Sequence, residues 1–261
     1  MNIIDDKKLS LFFKLIISYA LLLNLAFLFY VFNTDPASDQ TAKGAVLTNL
    51  LVWTATLFTP VAAFFFYDSW KEQKNYEFKK EILIKLNDLA ASEYIKILKK
   101  SRSADRLKKI KDEIIILSDF NKVLESMNND IFNEMYALAK IHQKLTGKSV
   151  IIDLKEKFDL NSFEIVNILS KLEIQYNLYY KKLNLESSIN NQYRSYKKGE
   201  KDVVTIEINE INYLISKKFE FYRTDLNGID HYYEITYDEA VNRFTDSYNL
   251  LLDKIVSEIK L

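Results

Sequence analysis

Two long apolar runs near the N-terminus constrain this chain more than any other feature. Leu15–Phe32 contains 18 consecutive residues without a charged side chain, and Ala45–Tyr67 contains 23. A helix needs about 20 apolar residues, at about 1.5 Å each, to cross a hydrocarbon layer of about 30 Å. The sequence therefore predicts a transmembrane hairpin over residues 1–67, with helices at about 12–32 and 46–67.

The distribution of lysines predicts how this hairpin is oriented. The connecting loop, Asn33–Gly44, holds one lysine, Lys43. Lysines are more frequent before the first run and after the second run: Lys7, Lys8, Lys14, Lys71, Lys74, Lys79, Lys80 and Lys85. Because positively charged flanks stay in the cytoplasm, we expect both termini to be cytoplasmic and the loop to lie outside.

The apolar runs also contain polar side chains, and we call four of them the polar stripe: Asn24, Asn49, Thr56 and Thr59. A carboxamide in hydrocarbon is costly unless it is paired, so two arrangements are open. The stripe either joins the two helices of one hairpin, or it faces neighbouring chains and lines a water-filled path through the membrane. Neither run contains Asp, Glu, Arg or His, which argues against an ion-coupled transporter.

Composition limits the rest of the protein. The 36 basic and 36 acidic residues balance, so no direct nucleic-acid binding is indicated. The small number of Gly and Pro residues predicts a mainly α fold. Cysteine is absent and only two His occur, so we expect no disulfide, metal site, cofactor or enzymatic activity. Gly147-Lys148-Ser149 resembles the end of a phosphate-binding loop, but His142 stands where its first glycine is needed.

After the hairpin, the pattern predicts a juxtamembrane stalk helix over 68–103, broken at Ser101–Ser103, and a cytoplasmic helical domain over 104–261. Within that domain, Ala104–Leu145 carries apolar residues at the d positions of six heptads. The apolar face is too wide for a two-stranded coiled coil, so it favours a helical bundle. Asn121 and Asn128, at a positions, are expected to set the register of that bundle. His142 is expected near a helix end.

The last hundred residues are less uniform. A helix is predicted from Ser162 to about Leu185, and another after the capping box formed by Thr236 and Glu239. Between them, over 203–237, alternation favours short strands at Val204–Ile208 and Tyr233–Tyr237, with a helix from Ile208 to Tyr222. An all-helical arrangement fits almost as well.

The exit of the second apolar run has the sequence Thr59–Gln73, TPVAAFFFYDSWKEQ. This segment resembles the same region of small bacterial two-helix inner-membrane proteins, including the membrane effectors found with retrons in anti-phage defence. The resemblance covers about the first 80 residues. It implies a protein that a cytoplasmic partner holds inactive and then releases to damage the inner membrane, and it brings no catalytic residues with it.

Two functions follow from these patterns. In the first, the chain is an inner-membrane effector that oligomerises and perturbs the bilayer, because two helices alone cannot enclose a path. Residues 104–261 would then bind a cytoplasmic protein or ribonucleoprotein. The alternative is a non-enzymatic membrane-anchored scaffold or adaptor whose helical domain binds a cytoplasmic partner.

Overall fold

The computed structural model describes residues 3–34, 39–117, 120, 129–184, 192–224 and 230–260. It is mainly helical, with two small antiparallel sheets. The chain divides into two compact units, residues 1–80 (unit 1) and Glu81–Lys260 (unit 2). This boundary lies inside the predicted stalk, because α2 (Gln40–Arg106) contributes residues to both units.

Unit 1 consists of α1 (Ile3–Asn33) and the first part of α2. Both helices are long and apolar enough, by length and composition, to cross a membrane. Their large side chains point outward, as Phe32 shows with 82% of its surface exposed. The helices touch through two ring pairs, Tyr19 with Phe58 at 5.0 Å and Phe29 with Trp53 at 6.5 Å between centroids.

Unit 2 is built around α4 (Val150–Leu183), which packs against α3 (Asn129–Thr146), α5 (Glu200–Ser216) and α6 (Tyr237–Lys260). The helix predicted from Ser162 to about Leu185 is confirmed as part of α4, which ends at Leu183. Buried residues on its predicted apolar face follow helical spacing: Ile165, Leu169, Leu172, Tyr176 and Tyr179. The helix starts twelve residues earlier than predicted, at Val150, because Ile151 and Ile152 also enter the core.

The prediction of one continuous helix over Ala104–Leu145 is wrong. The helix passes through Ser101–Ser103 without a break and ends at Arg106, a 3-10 turn follows at Leu107–Lys109, and Glu113–Ile115 forms strand β1. Strand β1 pairs with β2 (Tyr193–Ser195). Consecutive β-branched residues favour this extended conformation, and both Ile114 and Ile115 are fully buried in it.

Two buried tyrosines allow the chain to leave the helix here. The hydroxyl of Tyr176 accepts a hydrogen bond from the Leu117 backbone N–H at 2.7 Å, and that of Tyr179 accepts one from the Ile115 N–H at 3.4 Å. Buried amides need such acceptors wherever no helix supplies them. A heptad pattern does not contain this tertiary information.

The β element expected within 203–237 is present, and the strand predicted at Tyr233–Tyr237 coincides with most of an observed strand, Asp230–Thr236. Val204–Ile208 belongs to α5, not to a strand, because Val204, Ile208 and Ile211 share its buried face. The helix predicted to reach Tyr222 ends at Ser216. Strands β3 (Lys218–Thr224) and β4 (Asp230–Thr236) then form an antiparallel hairpin.

The helix end expected near His142 and the predicted start of the last helix are both confirmed. Helix α3 ends at Thr146 and is followed by Gly147 at φ +72°, a left-handed conformation that glycine adopts without strain. At the start of α6, the Thr236 N–H donates to the Glu239 carboxylate at 2.7 Å, as a capping box requires.

Phe244 offers a test of this core. Its ring lies 5.3 Å from that of Tyr94 and 5.6 Å from that of Phe158, and it is fully buried. Phe244→Ala should lower the free energy of unfolding by about 3–5 kcal/mol, measured by chemical denaturation of the full chain in detergent. Leu250→Ala, on the exposed side of the same helix, is the control and should change it by less than about 0.5 kcal/mol. Equal effects would contradict this packing.

Candidate functional site

The polar stripe lies on exposed parts of unit 1. Asn24 is on α1, while Asn49, Thr56 and Thr59 are on α2. The Thr56 and Thr59 hydroxyls donate to the carbonyl oxygens four residues earlier, at 2.9 Å and 3.1 Å. The Asn24 amide likewise donates to the Ala20 carbonyl at 2.8 Å. Each of these three side chains therefore has a partner within its own helix, and the two threonine hydroxyls need none on the other helix.

Asn24 nevertheless lies beside a cleft within unit 1. The cleft has a volume of about 300 Å³ and is lined by Leu23, Asn24, Ala26, Phe27, Leu47, Leu50 and Leu51. Its walls are apolar except for the one amide. Asn49 does not line it, so the structure does not bring Asn24 and Asn49 together there.

Sequence analysis missed the residues that pack most closely in unit 1. Ala26 is 3% exposed, and Thr54 is fully buried with its hydroxyl bonded to the Leu50 carbonyl at 2.8 Å. Both side chains are small, which permits close approach of neighbouring helices. The sequence signal for this close packing is the small size of Ala26 and Thr54, whereas the prediction relied on polar side chains.

The predicted register residues Asn121 and Asn128 lie outside the described residues. His142, expected near a helix end, is in the last part of α3 and is 1% exposed, so it belongs to the core of unit 2.

Unit 2 buries several ion pairs that composition alone did not reveal. Lys100 is fully buried and its Nζ lies 2.6 Å from Glu173 Oε2. Burial lowers the pKa of Lys100, while the Glu173 carboxylate opposes that shift. Lys182 pairs with buried Glu207 at 2.5 Å, and Lys155 pairs with Asp159. Each pair joins or stiffens helices, so these charges have a structural explanation.

The tyrosines of unit 2 also serve the fold. Burial raises the pKa of Tyr176, Tyr179 and Tyr237, so their phenols remain protonated near neutral pH. Tyr237 donates its hydroxyl hydrogen to the Ser101 carbonyl at 2.7 Å. None of these groups is poised as a nucleophile.

Among the described residues, no group of three or more His, Asp or Glu side chains is arranged to hold a metal ion. A second cavity, of about 370 Å³, lies at the C-terminal end of α5 and is lined by Lys108, Lys111, Asn209, Asn212, Tyr213, Ile215 and Ser216. Helix C-termini carry partial negative charge, which these lysines complement. The arrangement is therefore explained without a bound anion.

No family model, curated protein sequence or solved structure matches this chain.

The two partners of the buried Lys100–Glu173 pair should differ in how much stability is lost when each is replaced. Glu173 is 20% exposed whereas Lys100 is 0% exposed. Glu173→Gln leaves a buried ammonium without its counter-charge, which should cost about 3–5 kcal/mol of unfolding free energy. Lys100→Met removes the buried charge and leaves a carboxylate that water reaches, so the loss should be smaller. Denaturant titration of both variants measures the order, and a reversed order would contradict this description.

Asp159 predicts a pH dependence. Burial, opposed by Lys155, raises the pKa of Asp159 to about 6 in the folded protein, above its unfolded value of about 3.9. The folded state then holds a proton that the unfolded state has released. Stability from this group is fully present below pH of about 4 and is lost as the pH rises through about 6. The difference in unfolding free energy between the native chain and Asp159→Asn, measured from pH 4 to pH 7, should follow that course. A constant difference would refute it.

Proposed function

We propose that this protein is a two-pass effector of the bacterial inner membrane and part of an anti-phage defence system.

 The observation that carries the proposal is the outward-facing apolar surface of unit 1. Phe12, Ile17, Leu21 and Phe27 on α1 are all more than half exposed. Such a surface is stable when lipid, rather than water, surrounds it.

In the proposed arrangement, α1 and the first part of α2 cross the membrane as a hairpin. The excess of lysines outside the Asn33–Gly44 loop supports cytoplasmic termini. Unit 2, which begins within α2 at Glu81, would then lie in the cytoplasm. The similarity of Thr59–Gln73 to the two-helix effectors supports the bacterial inner membrane as the location.

The proposed activity is to oligomerise and perturb the membrane, without enzymatic chemistry. Two helices cannot enclose an aqueous path, so several hairpins would have to assemble. Asn24, Asn49, Thr56 and Thr59 would then face water between protomers, and the cleft beside Asn24 would give a neighbouring side chain room to enter. A cytoplasmic protein or ribonucleoprotein bound to unit 2 would restrain this assembly until it is released.

A second function, a membrane-anchored scaffold or adaptor, is favoured by one specific observation. Thr56 and Thr59 hydrogen-bond to carbonyl oxygens of their own helix. A threonine bonded in this way tolerates lipid, so the polar stripe does not require a wet path. Under this alternative, unit 1 only holds unit 2 at the membrane.

The two functions predict different outcomes when the full chain is expressed in bacteria and a potential-sensitive dye is followed together with growth. The effector should depolarise the membrane, and Asn49→Leu with Thr56→Val should slow or abolish that depolarisation by removing groups that contact water. Thr48→Val is the matched control, since Thr48 makes the same kind of bond, to the Gly44 carbonyl at 2.9 Å, but does not share the side of α2 on which Asn49 and Thr56 lie.

Intact polarisation at high expression, with or without candidate partners, would rule out the effector. Depolarisation that is unaffected by the double variant would rule out the polar stripe as its cause. Immunoblotting of the membrane fraction shows that each variant is inserted at the same level.

A further inference from the structure

Helix α5 presents apolar side chains to its surroundings as well as to the core. Val203, Ile206 and Tyr213 are 58%, 69% and 57% exposed, and their spacing places them on one side of the helix. On α4, Phe163, Ile174 and Leu178 form a similar exposed row. We call these two rows together the outer face of unit 2.

The contacts between the helices place both rows on the same side of unit 2. Lys182 of α4 reaches Glu207 of α5 at 2.5 Å, and Lys171 of α4 lies 5.4 Å from the ring of Phe219, just beyond α5. The two helices are therefore antiparallel. Around α5, Glu207 lies between the buried residues and the exposed row. Around α4, Lys182 lies between the core and the row that ends at Leu178. The two rows therefore lie on either side of the α4–α5 contact line, which we call the seam.

The charges beside the two rows have opposite signs. Lys171 and Lys181 lie exposed beside the α4 row, whereas Asp202 and Glu210 lie exposed beside the α5 row. Lys182 is engaged by Glu207 at the seam. Two lysines are exceptions on this side: Lys201, on α5, lies over the ring of Tyr196, and Lys217, directly after α5, lies over the rings of Tyr213 and Phe219.

We propose that the outer face binds the outer face of a second copy of this chain. A two-fold interface brings the same patch of both protomers together, so the patch must complement itself. Here the basic α4 side of one copy would meet the acidic α5 side of the other, twice, around a centre of apolar side chains. The proposal rests on the proposed oligomerisation and adds the surface on unit 2 that mediates it.

Charge reversal tests the proposal in the full chain in detergent micelles, by sedimentation velocity over a range of protein concentrations. Lys171→Glu with Lys181→Glu, and separately Asp202→Lys with Glu210→Lys, should each raise the dissociation constant roughly tenfold or more by placing like charges opposite each other. Mixed in equal amounts, the two variants should associate with each other as the native chain does. Only an interface between two copies of the outer face predicts this restoration.

Controls separate the interface from folding and from unit 1. Lys140→Glu with Lys144→Glu makes the same charge change on exposed positions of α3 and should leave association unchanged. Circular dichroism and thermal melting should show that all variants remain folded. Ile206→Ser should weaken association while leaving the melting temperature of the monomer unchanged, because Ile206 is 69% exposed.

A native chain that stays monomeric, or an assembly indifferent to all outer-face variants, would overturn the proposal. So would a failure of the mixed variants to associate, or a change in binding to anionic vesicles in place of self-association. Failure of the proposed function is distinguishable: the charge-dependent association would then persist in a chain that leaves the membrane polarised.

Discussion

The packing of α4 against three other helices is the interaction on which unit 2 depends. Leu172, Tyr176 and Tyr179 lie fully buried in one core with residues from α2 and α6. The same tyrosines supply acceptors for the amides of Ile115 and Leu117. One helix face thus provides both the apolar contact and the polar partners that let the chain change from helix to strand.

This dual role explains which features the sequence was able to predict. Periodicity located α4 and α6, and a capping box located the start of α6, because these signals are local. The extended segment at Glu113–Ile115 was interpreted as helix, since its apolar residues fit heptad positions equally well. Its true conformation depends on tyrosines about 60 residues away and on pairing with Tyr193–Ser195. Local pattern cannot contain that information.

The same limit applies to α5. Val204, Ile206 and Ile208 alternate as in a strand, yet Ile206 is exposed while Val204 and Ile208 are buried, as helical spacing also allows. The deciding contacts come from α4, including the bond from Lys182 to Glu207. For the candidate site, sequence identified polar residues in unit 1 but not their hydrogen bonds, because a threonine that bonds to its own helix looks identical to one that bonds to a neighbour.

The hydrogen bonds that the polar stripe makes within its own helices limit its contribution to assembly. If every polar group needed a partner outside its helix, hydrocarbon itself would force the hairpins together. Because Thr56, Thr59 and one donor of the Asn24 amide are already bonded within their own helices, that force is reduced, and the proposed assembly would gain from a further surface. In unit 2, the buried charges described above are held by ion pairs and the buried phenols by hydrogen bonds. Unit 2 also exposes the outer face of α4 and α5, where apolar side chains and charges of both signs lie side by side. The proposed activity of the membrane helices would therefore be controlled from unit 2.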